Sequence, residues 1–158
     1  MAQDKPGKTT REYIVKTLTE LLESCEVKRV VRGKKGNIQK EFNALPDTDF
    51  PIIVLDCGLP QPEIKYSSRQ QGIIDEVRSS LDISIYVYLR TAEGLCGHED
   101  EQVSFLLGNI WKIICNNPNI GKVMSLVPML SPSMTYQDVY CYFTIDLKVQ
   151  YIHDKDTI

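Results

Sequence analysis

Two long segments of the chain alternate apolar and polar residues almost without interruption. The first is SSLDISIYVYLR, Ser79 to Arg90, and the second is YCYFTIDLKVQYIH, Tyr140 to His153. Alternation is typical of a β-strand with one buried face, because successive side chains point to opposite sides of a sheet. The pattern predicts two neighbouring strands of roughly 40 Å each, longer than two helices would cover. We therefore expect part of this ribbon to protrude or to meet another chain.

Two other segments have the spacing of amphipathic helices. Thr9 to Glu12 has the form of a capping box, and apolar residues recur at helical spacing from Ile14 to Cys25. A second helix is predicted from the apolar positions between Val103 and Ile114, and it ends at Asn116-Asn117-Pro118. Acidic residues lie in its first turn, where the helix dipole favours negative charge: Glu99, Asp100 and Glu101.

Three shorter segments are predicted strands. Val27 to Arg32 is rich in valine and is followed by the turn sequence RGKKGN, so we expect a basic, solvated hairpin there. The unbroken apolar run Ile52 to Leu55 indicates a central strand buried on both faces. GKVMSLVP predicts a short strand. Residues 58–76 predict an extended exposed loop, because prolines, glycine and polar residues leave neither a helical nor a strand periodicity.

The order of these elements predicts the fold class. It is an α+β two-layer sandwich, with a mixed, mainly antiparallel sheet and two helices packed on one face. A length of 158 residues fits a single domain, 1–158, with a core from about residue 10 to residue 152. Such a chain can bury its core without disulfides or metals.

Composition excludes several classes of protein. No apolar segment is long enough for a membrane span, and the first residues lack the pattern of a secretion signal. The five cysteines are odd in number and contain no CxxC, so we expect reduced thiols. A net charge of −3 disfavours general nucleic-acid binding. No glycine-rich phosphate loop occurs, so no cofactor is predicted.

Catalytic and metal sites have little support in the sequence. The two histidines, His98 and His153, lie in no catalytic motif, and we expect His153 to be solvent-exposed in a polar C-terminal tail. The cluster CGHED, Cys96 to Asp100, contains possible metal ligands, but a helix N-terminus commonly collects such residues.

A Mg²⁺-dependent nuclease is the alternative enzymatic interpretation. Asp56 followed by Glu63 and Lys65 resembles a carboxylate on one strand and acid-x-lysine on the next. The spacing opposes this interpretation, because the intervening segment contains Gly58, Pro60 and Pro62 and is poorly suited to a turn and a second core strand.

Two groups of residues are candidates for protein contacts. The basic segment includes Arg32, Lys34 and Lys35, which form either a solvated turn or a contact with an acidic partner. Four tyrosines are predicted on the outer face of the long strands, where they either form an interface or stabilise neighbouring strands within one subunit. They are Tyr86, Tyr88, Tyr140 and Tyr142.

The complete layout resembles the tail terminator, or tail-completion, proteins of long-tailed bacteriophages. The resemblance covers roughly residues 10–152. It includes a short N-terminal helix, a basic strand and turn, and the aliphatic strand Pro51 to Leu55. An acid-rich loop, the LDISIYVYL strand, a helix, the NPNIGKVMSLVP segment and a last alternating strand follow. The 58–76 loop and the tail beyond His153 depart from the family pattern.

The resemblance implies a structural virion protein and no enzyme. It implies a hexameric ring that caps the head-proximal end of the tail tube, stops tube polymerisation and docks the neck or head connector. The expected partners are other copies, the tube protein, the connector and the tail sheath, and DNA only passes through the lumen. Assembly would take place in the host cytoplasm. Candidate docking residues then include Glu63 and Arg69 of the loop, with another neck protein as the alternative role.

Overall fold

The computed structural model describes residues 9–36, 40, 49–63, 76–90, 98–118, 120, 125–137, 140–154 and 158. Within these ranges the chain has an α+β fold with a mixed, mostly antiparallel sheet, which confirms the predicted fold class. The helices are α1 (Thr10–Glu23) and α2 (His98–Asn116). The strands are β1 (Arg29–Arg32), β2 (Ile52–Cys57), β3 (Gln61–Glu63), β4 (Glu76–Arg90), β5 (Ser125–Leu130), β6 (Thr135–Tyr136) and β7 (Tyr140–Asp154).

The sheet is built around the antiparallel pair β4 and β7. Both strands have 15 residues, and they pair along their whole length, from Glu76 opposite Asp154 to Arg90 opposite Tyr140. The pair spans about 50 Å. β2 and β3 pair with the other side of β4, while β5 and β6 pair with the other side of β7. The predicted pairing of the two long strands is therefore confirmed.

β2 is an interior strand, as its apolar run predicts. Ile52 to Leu55 are fully buried, and β2 lies between β1 and β4. β1 runs parallel to β2, with Arg29 opposite Ile52, so the predicted hairpin at this position is wrong. Parallel neighbours need a crossover connection, which no local turn motif can reveal.

β3 corrects part of the predicted loop. Gln61–Glu63 pair with β4, where Pro62 lies opposite Ser79, and residues 64–75 lie outside the described ranges. The N–H of Gly58 donates to the carbonyl of Asp82 at 2.8 Å, which keeps the chain beside β4 between β2 and β3. The strand is short and exposed, an arrangement that tolerates proline.

The two helices cover one face of the sheet, here called the helix face. Their buried residues recur at the predicted spacing: Ile14, Leu18 and Leu22 of α1, and Leu106, Ile110 and Ile114 of α2. α1 begins as predicted, since the Thr9 hydroxyl accepts a hydrogen bond from the Glu12 N–H at 3.1 Å. The odd-numbered residues of β4 and β7 complete this core.

The ribbon does not protrude on the helix face. Its odd-numbered residues on β4 are buried from Val77 to Leu89 within the same chain. On this side the described residues of β4 are covered by their own chain, so the predicted overhang is wrong there. The opposite face, formed by the even-numbered residues of β4 and β7 and here called the outer face, has exposed residues such as Asp82 and Asp146.

β5 (Ser125–Leu130) agrees with the end of the segment predicted for it, whose residues 121–124 lie outside the described ranges, and it is an edge strand among the described residues. The N–H of Ser131 donates to the carbonyl of Thr144 at 2.9 Å. In an antiparallel pair the backbone N–H and C=O groups of alternate residues point toward the partner strand, so those of every second residue before Ser131 point toward β7. Those of Leu126, Pro128 and Leu130 consequently point away from β7. Because proline has no N–H, the outward edge of β5 has backbone donors at Leu126 and Leu130 but none at Pro128.

Replacing the buried Ile145 by alanine should lower the free energy of unfolding by about 2–5 kcal/mol, because it leaves a cavity in the core opposite Ile85. Val127→Ala is the matched control on an exposed side chain and should change it by less than about 0.5 kcal/mol. Urea denaturation followed by circular dichroism measures both. Equal effects would contradict the assignment of the core.

Candidate functional site

The four predicted tyrosines lie together at one end of the outer face. Tyr88 is directly opposite Tyr142, with ring centroids 4.9 Å apart, and Tyr86 and Tyr140 contact this pair edge to face. They pack with Phe50, Ile52 and Val54 in a second, smaller core. We call this group the tyrosine cluster.

The tyrosine cluster is covered by its own chain. Exposed fractions are 0% for Tyr88, 8% for Tyr140 and 6% for Tyr142, and only Tyr86 remains partly exposed. Of the two alternatives left open by the sequence, the burial of three of the four residues agrees with packing among neighbouring strands of one subunit. Cross-strand contacts within one subunit account for their burial, whereas an intersubunit role stays a prediction.

Lys35 lies over this cluster. Its ammonium donates a hydrogen bond to the Tyr142 hydroxyl and lies 4.4 Å from the centroid of the Tyr142 ring and 5.2 Å from that of Tyr86. These distances allow cation–π attraction to both rings. The connection after β1 is thus fixed to the outer face through a contact between residues 107 positions apart.

The remaining candidate residues lie elsewhere. Arg32 lies on the helix side, where its guanidinium donates two hydrogen bonds to the Glu12 carboxylate at 2.8 and 2.9 Å. This ion pair raises the pKa of Arg32. Lys34 is exposed, and Arg69 lies outside the described residues. Glu63 is opposite Arg78, ten residues along β4 from Tyr88, or about 34 Å. The predicted contact residues therefore do not form one surface.

The other half of the outer face is open and mainly acidic. Asp56, Ser84 and Asp146 lie in one row across β2, β4 and β7, and the Ser84 hydroxyl donates to the Asp146 carboxylate at 2.7 Å. Asp82 lies in the adjacent row, directly opposite Lys148. We call Asp56, Asp82, Asp146 and Lys148 the acidic strip. It combines three carboxylates with one ammonium group.

The acidic strip ends at two exposed apolar residues of β5. Met129 lies opposite Asp146 and is 68% exposed, and Val127 lies opposite Lys148 and is 56% exposed. Both side chains belong to the outer face. Exposed apolar residues that adjoin charged ones are typical of protein interaction sites when they form a patch. Sequence periodicity gave no indication of this patch, because β5 has no alternation of its own.

The geometry does not support the alternative nuclease site. Asp56 is opposite Ser84 and Glu63 is opposite Arg78, so the two carboxylates are separated by about 20 Å along the sheet. Lys65 lies outside the described ranges. A shared Mg²⁺ ion requires ligands within about 2.1 Å of the metal, which this separation does not allow.

Metal ligands are likewise not grouped in the part of the chain that is described. There, no three side chains of His, Cys, Asp or Glu lie close enough to hold an ion. Cys96 lies outside the described residues, as do the side chains of His98, Glu99 and Asp100. Three of the described cysteines are free thiols: Cys25, Cys57 and Cys115.

His153 is buried, so the prediction of an exposed tail residue is wrong. β7 continues to Asp154, which places His153 on the helix face with an exposed fraction of 5%, beside Ser79 at 1%. Nε2 lies 2.7 Å from the Ser79 hydroxyl, and Nδ1 lies 2.6 Å from the carbonyl of Asp154. A carbonyl oxygen only accepts, so Nδ1 carries a proton, and Nε2 shares the second hydrogen bond with the Ser79 hydroxyl. Both polar side chains are satisfied, and their burial leaves a substrate no access to the pair.

Tyr151 and Arg11 close the same end of the helix face. The Tyr151 hydroxyl donates to the backbone oxygen of Ile158 at 3.1 Å, and the Arg11 guanidinium donates to the carbonyls of Cys57 and Gly58. Burial raises the pKa of Tyr151, although Arg11 and Ser79 oppose the shift. Burial also raises the pKa of the Cys57 thiol, against the lowering effect of Arg11 and Arg32. Polar side chains and backbone groups therefore cover the core at this end of the sheet.

Comparison with known proteins assigns no family. No protein-family model matches the chain, and no curated protein matches it significantly. No helix in the described ranges combines the length and apolar content that crossing a membrane requires.

Lys35→Met should lower the free energy of unfolding by about 1–2 kcal/mol, because it removes the cation over the rings and the hydrogen bond to Tyr142 while keeping an aliphatic stem. Lys34→Met is the adjacent exposed control and should be nearly neutral. A double-mutant cycle with Tyr142→Phe measures the coupling. Because phenylalanine keeps the ring, additive effects of the two changes would contradict the hydrogen bond between Lys35 and Tyr142.

Stability should also depend on Tyr151 at alkaline pH. Its pKa is raised in the folded protein, so its contribution is complete below the unfolded pKa of about 10 and is lost as pH rises through the folded pKa. Tyr151→Phe should therefore make the loss of unfolding free energy with pH less steep, whereas Tyr136→Phe, on an exposed side chain, should not. Identical slopes in all three proteins would exclude this effect.

Proposed function

We propose that this protein is a structural subunit of the ring that terminates the tail of a long-tailed bacteriophage. The resemblance over residues 10–152 supports this proposal, and the α+β architecture is compatible with it. The ring would cap the head-proximal end of the tail tube, stop tube polymerisation and provide the surface on which the neck or head connector docks. The proposal assigns no catalytic reaction and no cofactor to the chain.

One structural observation carries the proposal. Two of the edge strands of the described sheet, β1 and β5, present unlike surfaces: β1 has exposed basic residues, and β5 has the exposed apolar pair Val127 and Met129. A contact between unlike surfaces is heterologous, and it generates a closed ring when the rotation between neighbours closes. A symmetric dimer would instead use one self-complementary surface.

The proposed partners follow from the position of such a ring. They are other copies in a hexamer, the tube protein on one side and the connector on the other, with the tail sheath as a further neighbour. DNA passes through the lumen without being bound specifically. Assembly takes place in the host cytoplasm, and the finished protein resides in the virion.

Val127→Asp/Met129→Asp should abolish rings of the purified protein, on its own or on tail tubes, because it places charge at the apolar contact. Phe105→Asp, a matched change on the exposed surface of α2, should leave rings intact. Negative-stain microscopy and light scattering provide the readout. Wild-type protein that stays monomeric at high concentration and also fails to bind tubes would exclude the ring.

Deletion of the gene distinguishes a terminator from another neck protein. Loss of a terminator should give overlong or headless tails, whereas loss of a neck protein should leave tails of normal length that do not join heads. Electron microscopy of lysates measures both. Normal tails on filled heads would contradict both roles.

A further inference from the structure

Two exposed surfaces of the described sheet carry opposite charge. The acidic strip lies on the outer face and ends at β5, where Asp146 adjoins Met129. The opposite edge of the sheet carries exposed cations at Lys28, Arg29 and Lys34. Arg32 of the same strand differs from them, because Glu12 already holds its guanidinium.

We infer that the acidic strip, together with Val127 and Met129, receives Lys28 and Arg29 of a neighbouring copy of this chain. This inference rests on the proposed ring function and identifies the surfaces that would form it. Opposite charges fix the order of the copies, and like charges on the wrong pairing are repelled. One copy therefore offers its β1 edge to the β5 side of the next.

The apolar residues of β5 fit the same partner. Lysine and arginine carry aliphatic stems that pack on apolar surface while their charged ends reach a carboxylate or water. Met129 and Val127 lie between the outward edge of β5 and the charged residues Asp146 and Lys148 of β7. A basic side chain arriving from the β5 edge would cross the two apolar residues before its charge meets the acidic strip.

Side chains rather than backbone would make this contact. The edge of β5 lacks a donor at Pro128, so another strand could pair with it only incompletely. Contacts through charged side chains are screened by salt, whereas a backbone ladder is much less sensitive. Rising ionic strength should therefore weaken association of the wild-type chain.

Charge reversal tests the two surfaces separately. Lys28→Glu/Arg29→Glu and Asp82→Lys/Asp146→Lys should each raise the concentration needed for half-maximal ring formation about a hundredfold or more. The matched controls reverse exposed charges on the helices: Lys16→Glu/Lys112→Glu for the first variant and Glu20→Lys/Glu23→Lys for the second. They should leave assembly unchanged. Sedimentation velocity, with and without tail tubes, measures assembly, and thermal melting confirms folding.

Complementation gives the decisive result. Equal amounts of the two reversed variants should form rings in which the variants alternate. The acidic β1 edge of the first variant then meets the basic strip of the second, and the basic β1 edge of the second meets the acidic strip of the first. The chain with all four substitutions should also assemble by itself. Recovery in both experiments supports the inference, since a merely structural defect would not be repaired by the other variant.

The other outcomes separate this inference from the proposed function. If both reversed variants form rings as readily as the wild-type protein, the assigned surfaces are wrong and the ring role remains intact. Reversed variants that still form rings but no longer bind tubes would assign the acidic strip to the tube protein instead. Wild-type protein that neither associates nor binds tubes would overturn the ring and the inference together.

Discussion

The full-length pairing of β4 with β7 is the constraint on which the rest of the structure depends. Because the side-chain period of a strand is two residues, this register decides which residues face the helices and which form the outer face. A slip by one residue would move Ile85 and Ile145 out of the core and place tyrosines beneath the helices. The same register aligns Asp56, Ser84 and Asp146 in one row and brings that row to the edge strand β5.

The elements with strong local signals were predictable from the sequence. Alternation identified both long strands, helical spacing identified α1 and α2, and the apolar run Ile52 to Leu55 identified an interior strand. The topology was less accessible, because the parallel pairing of β1 with β2 depends on contacts across a crossover. β3 was missed because a segment that contains proline looks like a loop in the sequence, although a short edge strand tolerates proline.

The candidate site was predicted only in part, for a physical reason that the tyrosines illustrate. Their aromatic ring and hydroxyl suit either an interface or a buried cluster, so the sequence cannot distinguish these environments. In the folded chain they pack with Phe50, Ile52 and Val54, and Lys35 contacts two of the rings, so contacts between distant positions determine their environment. His153 was misjudged for a different reason. Its polar neighbours in the sequence suggest solvent exposure, but β7 continues through it and places the ring on the buried face, where it hydrogen-bonds with Ser79.

The proline in β5 has a consequence for how copies can accumulate in a cell. A flat edge with every donor and acceptor available would add strand after strand, and such growth has no natural end. With Pro128 at its middle, the edge cannot act as a template for endless β-sheet. This edge therefore does not draw newly synthesised chains into fibres, even when their concentration is high.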